Sequence, residues 1–207
     1  IFKKYGWIKN YETNLHYFLL EPLNHPKFVK LSKYFRLIYA VINLCFRYLI
    51  SKHYELKKNI HSQINIELLD SKNINFFINK DLNKNIENTL LDKNYLHWRF
   101  LESPDLKYYK VFKNADNYAA LVKERRDKPF SWHLDILLIN NLDDYKKIIF
   151  LIVDIILWAK KNNYSYVRLY ISDMELSKKI RKNLLCYVAH PRFACFSYNK
   201  EYMKALN

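Results

Sequence analysis

The sequence predicts a mixed α/β fold: an antiparallel strand meander that runs into a strand–helix–strand crossover. Three observations predict it. Half of the 207 residues are hydrophobic, enough for one core of domain size. Short apolar runs rich in β-branched and aromatic residues recur through the second half, separated by polar turns bearing Asn, Asp and Pro. One of these runs, Ser131 to Ile139, is followed by a long apolar helical stretch, Asn141 to Asn163, and then by YVRLYI, Tyr166 to Ile171. A strand, a long helix and a strand make a βαβ unit, because parallel strands need a crossover and that crossover is right-handed.

The elements follow in order. Gly6, the only glycine of the chain, marks a backbone need such as positive φ. Trp7 to Lys9 and Leu15 to Leu20 read as two short strands around a polar turn, the second ended by Pro22. A helix starts near Pro26 and runs through the highly apolar stretch Phe28 to Ile50. On it Ser32, Arg36, Ala40, Asn43, Arg47 and Ser51 form one narrow polar stripe. Two readings stay open for this helix: an interfacial helix with its basic stripe toward lipid headgroups, and, favoured for its broad apolar face, a helix buried between two packed bodies. Its apolar runs are too short to span a bilayer, which needs about 20 residues.

A linker between Ser51 and Gln63 opens a new domain. Gln63 to Leu69 alternates and predicts a strand. Asn75 to Asn79 is a short apolar run, and Asp81 to Leu91 a short helix. Asp92 N-caps a further helix that Pro104 stops. On it Trp98 and Arg99 are expected to anchor the helix to a sheet. Lys107 to Lys113 and Asn117 to Glu124 form a hairpin about the turn Asn114 to Asp116. Ser131 to Ile139 extends it to a meander. After the crossover, Asp173 caps a helix to Leu185 with Leu176, Ile180 and Leu184 on one face, and Phe193 to Tyr198 is the last strand.

The formal net charge is +15, from 35 basic and 20 acidic residues. The excess is mostly Lys, spread along a chain also rich in Asn, Ile and Tyr, and no nucleic-acid-binding motif accompanies it, so a nucleic-acid partner is not expected. Cys45, Cys186 and Cys195 form no CxxC pair, so buried thiols are expected, and no metal site. Few cysteines and no signal peptide point to a cytoplasmic protein. The chain begins at Ile1 without a Met and is expected to be a piece of a longer protein.

The segment Asp92 to Tyr109, DKNYLHWRFLESPDLKYY, resembles the YLRWRY…HP…Y signature of a group of bacterial GNAT-type acyltransferases, in which two GNAT-like halves can occur in tandem. Tyr5 to Asn24, with its GW turn and EPLN, is similar to the end of a first half, Glu21 standing where that group has Arg. The resemblance implies three parts: 1–24 the close of a first GNAT-like half, 25–62 a helical bridge and linker, and 63–207 a GNAT-like domain. It implies acyl transfer to an unknown acceptor, with acetyl-CoA or another acyl-CoA as co-substrate of the full protein and an N-terminal GNAT-like half as partner. The family's phosphate loop is glycine-rich, so that backbone N–H groups converge on a pyrophosphate. Here the matching loop, Ile139 to Asp144, has no Gly, Lys or Arg and carries Asp143 and Asp144. No cofactor-binding residue is therefore expected, and this half is read as non-catalytic, used for acceptor binding or scaffolding. Were it catalytic, His133 and Asp135 on one strand face, with Tyr170 on the neighbouring strand, would be the proton-relay candidates. The alternative is a non-enzymatic binding module, either at a peripheral membrane surface through Phe28 to Ile50 or associated with nucleic acid.

Overall fold

A computed structural model describes residues 14–21, 36–58, 64–78, 93–127, 131–171 and 173–189. The strands expected at Trp7 to Lys9 and Phe193 to Tyr198, the helix at Asp81 to Leu91, the Asp92 cap and Gly6 lie outside these residues.

The described residues form a mixed α/β structure on one seven-stranded sheet. Its strands are β1 (Asn14–Leu19), β2 (Asn65–Leu68), β3 (Tyr109–Lys113), β4 (Ala119–Asp127), β5 (Ser131–Ile139), β6 (Tyr166–Ile171) and β7 (Tyr187–Ala189). The spatial order is β2-β3-β4-β5-β6-β1-β7. β2 to β5 form the expected antiparallel meander, and β5 lies parallel to β6. The turn between β3 and β4 is tied by Asn114, whose Oδ1 accepts the Tyr118 N–H at 3.0 Å. Asn117 there has φ 62° and Asn163, after the crossover helix, φ 60°. In a chain with one glycine, these two asparagines supply the left-handed backbone.

β1, from the stretch assigned to the close of a first half, lies in this same sheet between β6 and β7, antiparallel to both. β7 itself was not expected. Three residues after a helix carry too little periodicity to be read as a strand, and only pairing with β1 makes them one.

Four α-helices lie among the described residues: α1 (Arg36–Lys57), α2 (Lys93–Leu96), α3 (Tyr145–Lys161) and α4 (Met174–Asn183). α3 is the crossover between β5 and β6. Its buried residues Ile148, Leu151, Ile152, Ile155 and Ile156 meet Phe112, Val122, Leu134, Ile136, Val167 and Leu169 in the main core. The helix starts at Tyr145, not Asn141, because Asp144 is its extended N-cap, accepting from the N–H groups of Lys146 and Lys147. α4 is capped by Asp173 in the same way, and Leu176, Ile180 and Leu184 face the core as expected.

The opposite face carries a second cluster, where Leu96 and Phe100 meet Tyr109, Val111, Ala119 and Leu121. Here the expected anchors were wrong. Trp98 is 61% exposed and Arg99 is exposed. Past Leu96 the helix widens into a π-turn, His97–Leu101, and Phe100 then turns inward. The apolar run near Asn75 is a 3-10 turn, Asn73–Phe77, that adds Ile74 and Phe77 to this cluster.

Candidate functional site

Side chains alternate along a strand, so β4, β5 and β6 each send one set of residues away from α3. The register brings these sets together: Arg125 opposes His133, Lys123 opposes Asp135, His133 opposes Tyr166 and Asp135 opposes Arg168. The result is a charged cluster in mid-sheet. Asp135 is 1% exposed. Arg168 Nε donates to its Oδ1 at 2.6 Å and Arg168 Nη2 to its Oδ2 at 2.8 Å. Arg125 Nε reaches Oδ2 at 2.7 Å, and His133 Nε2 lies 3.6 Å from Oδ1. The two-pronged Arg168 contact matches the planar guanidinium to the planar carboxylate. Burial pulls the Arg168 guanidinium down, but the hydrogen bond and charge of Asp135 outweigh it and the net shift is upward.

This geometry limits what the cluster does. Both Asp135 oxygens are engaged by guanidinium N–H groups, whereas a general base needs an oxygen turned to the substrate proton. His133 is fully buried, and its ring stacks on Tyr166 at 4.5 Å. Tyr170 is the next residue of β6 on the same face after Arg168. Burial pushes its phenol upward, Arg168 opposing and Asp135 adding to the shift, so it stays protonated at neutral pH. The three sequence candidates thus share one sheet face, and His133 and Asp135 adjoin. Arg125 and Arg168, which the sequence reading passed over, organise them. Arg168 had left a signal: in YVRLYI it is the only charge, on the alternate face from Val167, Leu169 and Ile171.

Arg125 is half-exposed and leads outward to a recess of about 420 Å3 lined by Asp105, Tyr108, Lys123, Glu124, Arg126 and Trp132. Lys123 bonds Asp105 at 2.6 Å, and Arg126 lies over the Trp132 ring at 5.6 Å.

Beyond the cluster, β5 and β6 part. Leu121 pairs with Leu138 but Val122 with Ile136, so Leu137 is an extra residue in β5. The β5–β6 ladder closes at Ile136 and Leu169, although both strands run on. Ligand sites of open α/β sheets form outside such carboxyl ends. The loop there is filled by its own side chains. Asn140 Oδ1 accepts from the Ala119 N–H at 2.8 Å and its Nδ2 donates to the Asn117 carbonyl at 3.0 Å. The Tyr118 hydroxyl donates to Asp143, and Asp144 Oδ1 takes the N–H groups of Lys146 at 2.9 Å and Lys147 at 3.3 Å.

A second polar cluster lies on the α3 side, between β1 and α4. His16 is fully buried. Its Nε2 is 3.0 Å from Ser177 Oγ and its Nδ1 3.5 Å from Cys186 Sγ. Asn14 Nδ2 donates to the same Ser177 oxygen at 3.0 Å. Burial, helped by the Arg181 charge, lowers His16 to about 4. Burial pushes the Cys186 thiol up to about 11, Arg181 opposing. A neutral imidazole beside a neutral thiol makes a poor nucleophile pair, and this cluster is read as a packing device. Some 160 residues separate its halves, so no local pattern announces it.

Among the described residues no group of three or more His, Cys, Asp or Glu is placed to hold a metal ion. Cys195 lies outside them. Comparisons with protein-family models, with curated proteins and with solved structures find no match to this chain.

Proposed function

We propose that this chain is part of a GNAT-type N-acyltransferase, and that its sheet is a non-catalytic half used for acceptor binding or scaffolding. Acyl transfer from acetyl-CoA or another acyl-CoA would belong to an N-terminal GNAT-like half of the full protein. The signature-like segment Asp92 to Tyr109 supports the kinship, as does the meander that enters a parallel strand pair through α3. The observation that carries the non-catalytic reading is Asp144. Its carboxylate already occupies the first-turn amides of α3, the groups on which a pyrophosphate would have to sit, and its charge repels a polyanion.

The acceptor role rests on the recess beside Arg125. The recess carries both signs of charge, Lys123, Arg125 and Arg126 with Asp105 and Glu124, and the flat rings of Tyr108 and Trp132, which suits a polar acceptor with an apolar body. Calorimetric titration of acetyl-CoA into this chain tests the reading. No heat is expected. Micromolar binding would overturn it, since the capped loop would then have to open.

A further inference from the structure

α1 packs against α3 with a small inward face for a helix of a globular protein. Ile50 and Tyr54 enter the main core, and part of the polar stripe turns inward beside them. Arg47 pairs with Glu21 at 3.0 Å, Ser51 meets Lys160, and the Tyr54 hydroxyl donates to the Leu185 carbonyl at 2.6 Å. The polar stripe seen in the sequence is thus turned, at Arg47 and Ser51, toward the protein and not toward lipid headgroups. The apolar side faces out: Ile38, Val41, Ile42, Leu44, Phe46, Tyr48 and Leu49 are each between 39% and 66% exposed. At 100° per residue they cover roughly 200° of the helix circumference. The face amounts to on the order of 700 Å2, above the ~300–600 Å2 of the largest patch on an ordinary monomer.

We infer that this face docks on an anionic lipid surface. Charge selects the occupant. Between Glu21 and Glu55 the chain has no carboxylate, and on α1 itself Lys52 is exposed. At the C-terminal end of the apolar face, beside the highly exposed Leu56, an open cleft of about 1070 Å3 is lined by Lys57, Lys58, Lys146 and Lys179. Asp143 and Asp144 line it from the α3 side as carboxylates, so the headgroup contact falls to Lys57 and Lys58 at the end of α1. An apolar helix face with lysines at its end matches the chemistry of a bilayer interface: side chains enter the acyl boundary and ammonium groups meet headgroup phosphates.

A second copy fits less well. An isologous interface needs a self-complementary surface, and two chains of formal charge +15 would bring together two acid-free basic stretches. Insertion is interfacial, because among the described residues no helix is long and apolar enough to cross a membrane. The inference does not depend on the acyltransferase reading.

The test is flotation of the whole chain with vesicles made of equal parts phosphatidylcholine and phosphatidylglycerol, and with phosphatidylcholine alone. Partition into the anionic vesicles is expected to exceed that into neutral ones at least tenfold and to weaken with salt. The double variant L44E/L49E changes only exposed side chains. It should lose at least tenfold in binding while its thermal unfolding is unchanged. K57E/K58E, which leaves the apolar face intact, should lose severalfold. The inference is overturned by absence of binding to anionic vesicles, or by equal binding to both compositions. A dimer in sedimentation equilibrium that L44E/L49E dissociates would also overturn it, by giving the face to a second copy.

Discussion

The two faces of the sheet bury polar groups in opposite ways. On the α3 side, Asn14, His16 and Ser177 form a neutral cluster in which hydrogen bonds replace those lost to water. On the other side, Asp135 is buried as a charge between Arg125 and Arg168. A neutral cluster costs little when satisfied and about 1–3 kcal/mol when one partner is lost. A buried charge depends far more on its partners, and losing one costs about 3–5 kcal/mol. Both clusters hold strands of distant origin. His16 and Asn14 tie β1 to α4, and the Asp135 cluster ties β4, β5 and β6. The contrast teaches that the middle of this sheet is pinned by electrostatics on one face, and its β1 end by shape and hydrogen bonding on the other.

The largest expected effect breaks the charged side. Arg168→Met leaves Asp135 with Arg125, which is half-exposed, and should cost about 3 kcal/mol in urea unfolding. The double change Asp135→Leu with Arg168→Met should recover most of that loss. A single-variant loss below about 1 kcal/mol would place Asp135 among weakly coupled surface ions and dissolve the comparison.

The next effect belongs to the neutral side and reads out with pH. His16 ordinarily titrates near 6.5 and is lowered to about 4 in the fold. Between those values the unfolded chain binds a proton that the native one refuses. The stability from neutral His16 is therefore complete above pH 6.5, falls as pH drops from 6.5, and is gone below about 4. Its ceiling is on the order of 3 kcal/mol. His16→Gln should flatten that part of the stability–pH curve; an unchanged slope would assign the acid sensitivity to other groups.

Two smaller changes set the scale. Asp144→Ala removes the α3 cap and should cost about 1 kcal/mol, read as a lower melting temperature. Glu175→Ala breaks the exposed pair with Lys179, 3.3 Å apart on α4. It should change stability by less than about 0.5 kcal/mol, a value that serves as the baseline for the rest.

Much of the chain is legible because its chemistry is local. Asp173 ahead of a helix with Leu176, Ile180 and Leu184 on one face reads correctly from sequence, since a cap and a 3.6-residue period involve neighbours only. The alternation in β3, β4 and β5 and the length of α3 likewise foretell the meander and the crossover. His133 and Asp135 could be placed on one strand face from the period of two. Their partners could not, because a neighbour across the sheet depends on register. Trp98 misled for a simpler reason: two residues past the buried Leu96 it falls on the far side of the helix, while Phe100, four residues on, shares the inward face.

The local patterns, then, set which segments are strands and helices and where the helices are capped. They did so because hydrogen bonds and side-chain periodicity within a segment depend on that segment alone. Three matters waited for the tertiary structure: the entry of β1 between β6 and β7, the two guanidinium groups that clamp Asp135, and the outward turn of the apolar face of α1. Each is a choice among partners far apart in the chain, and it is decided by which pairing satisfies the most buried groups at once.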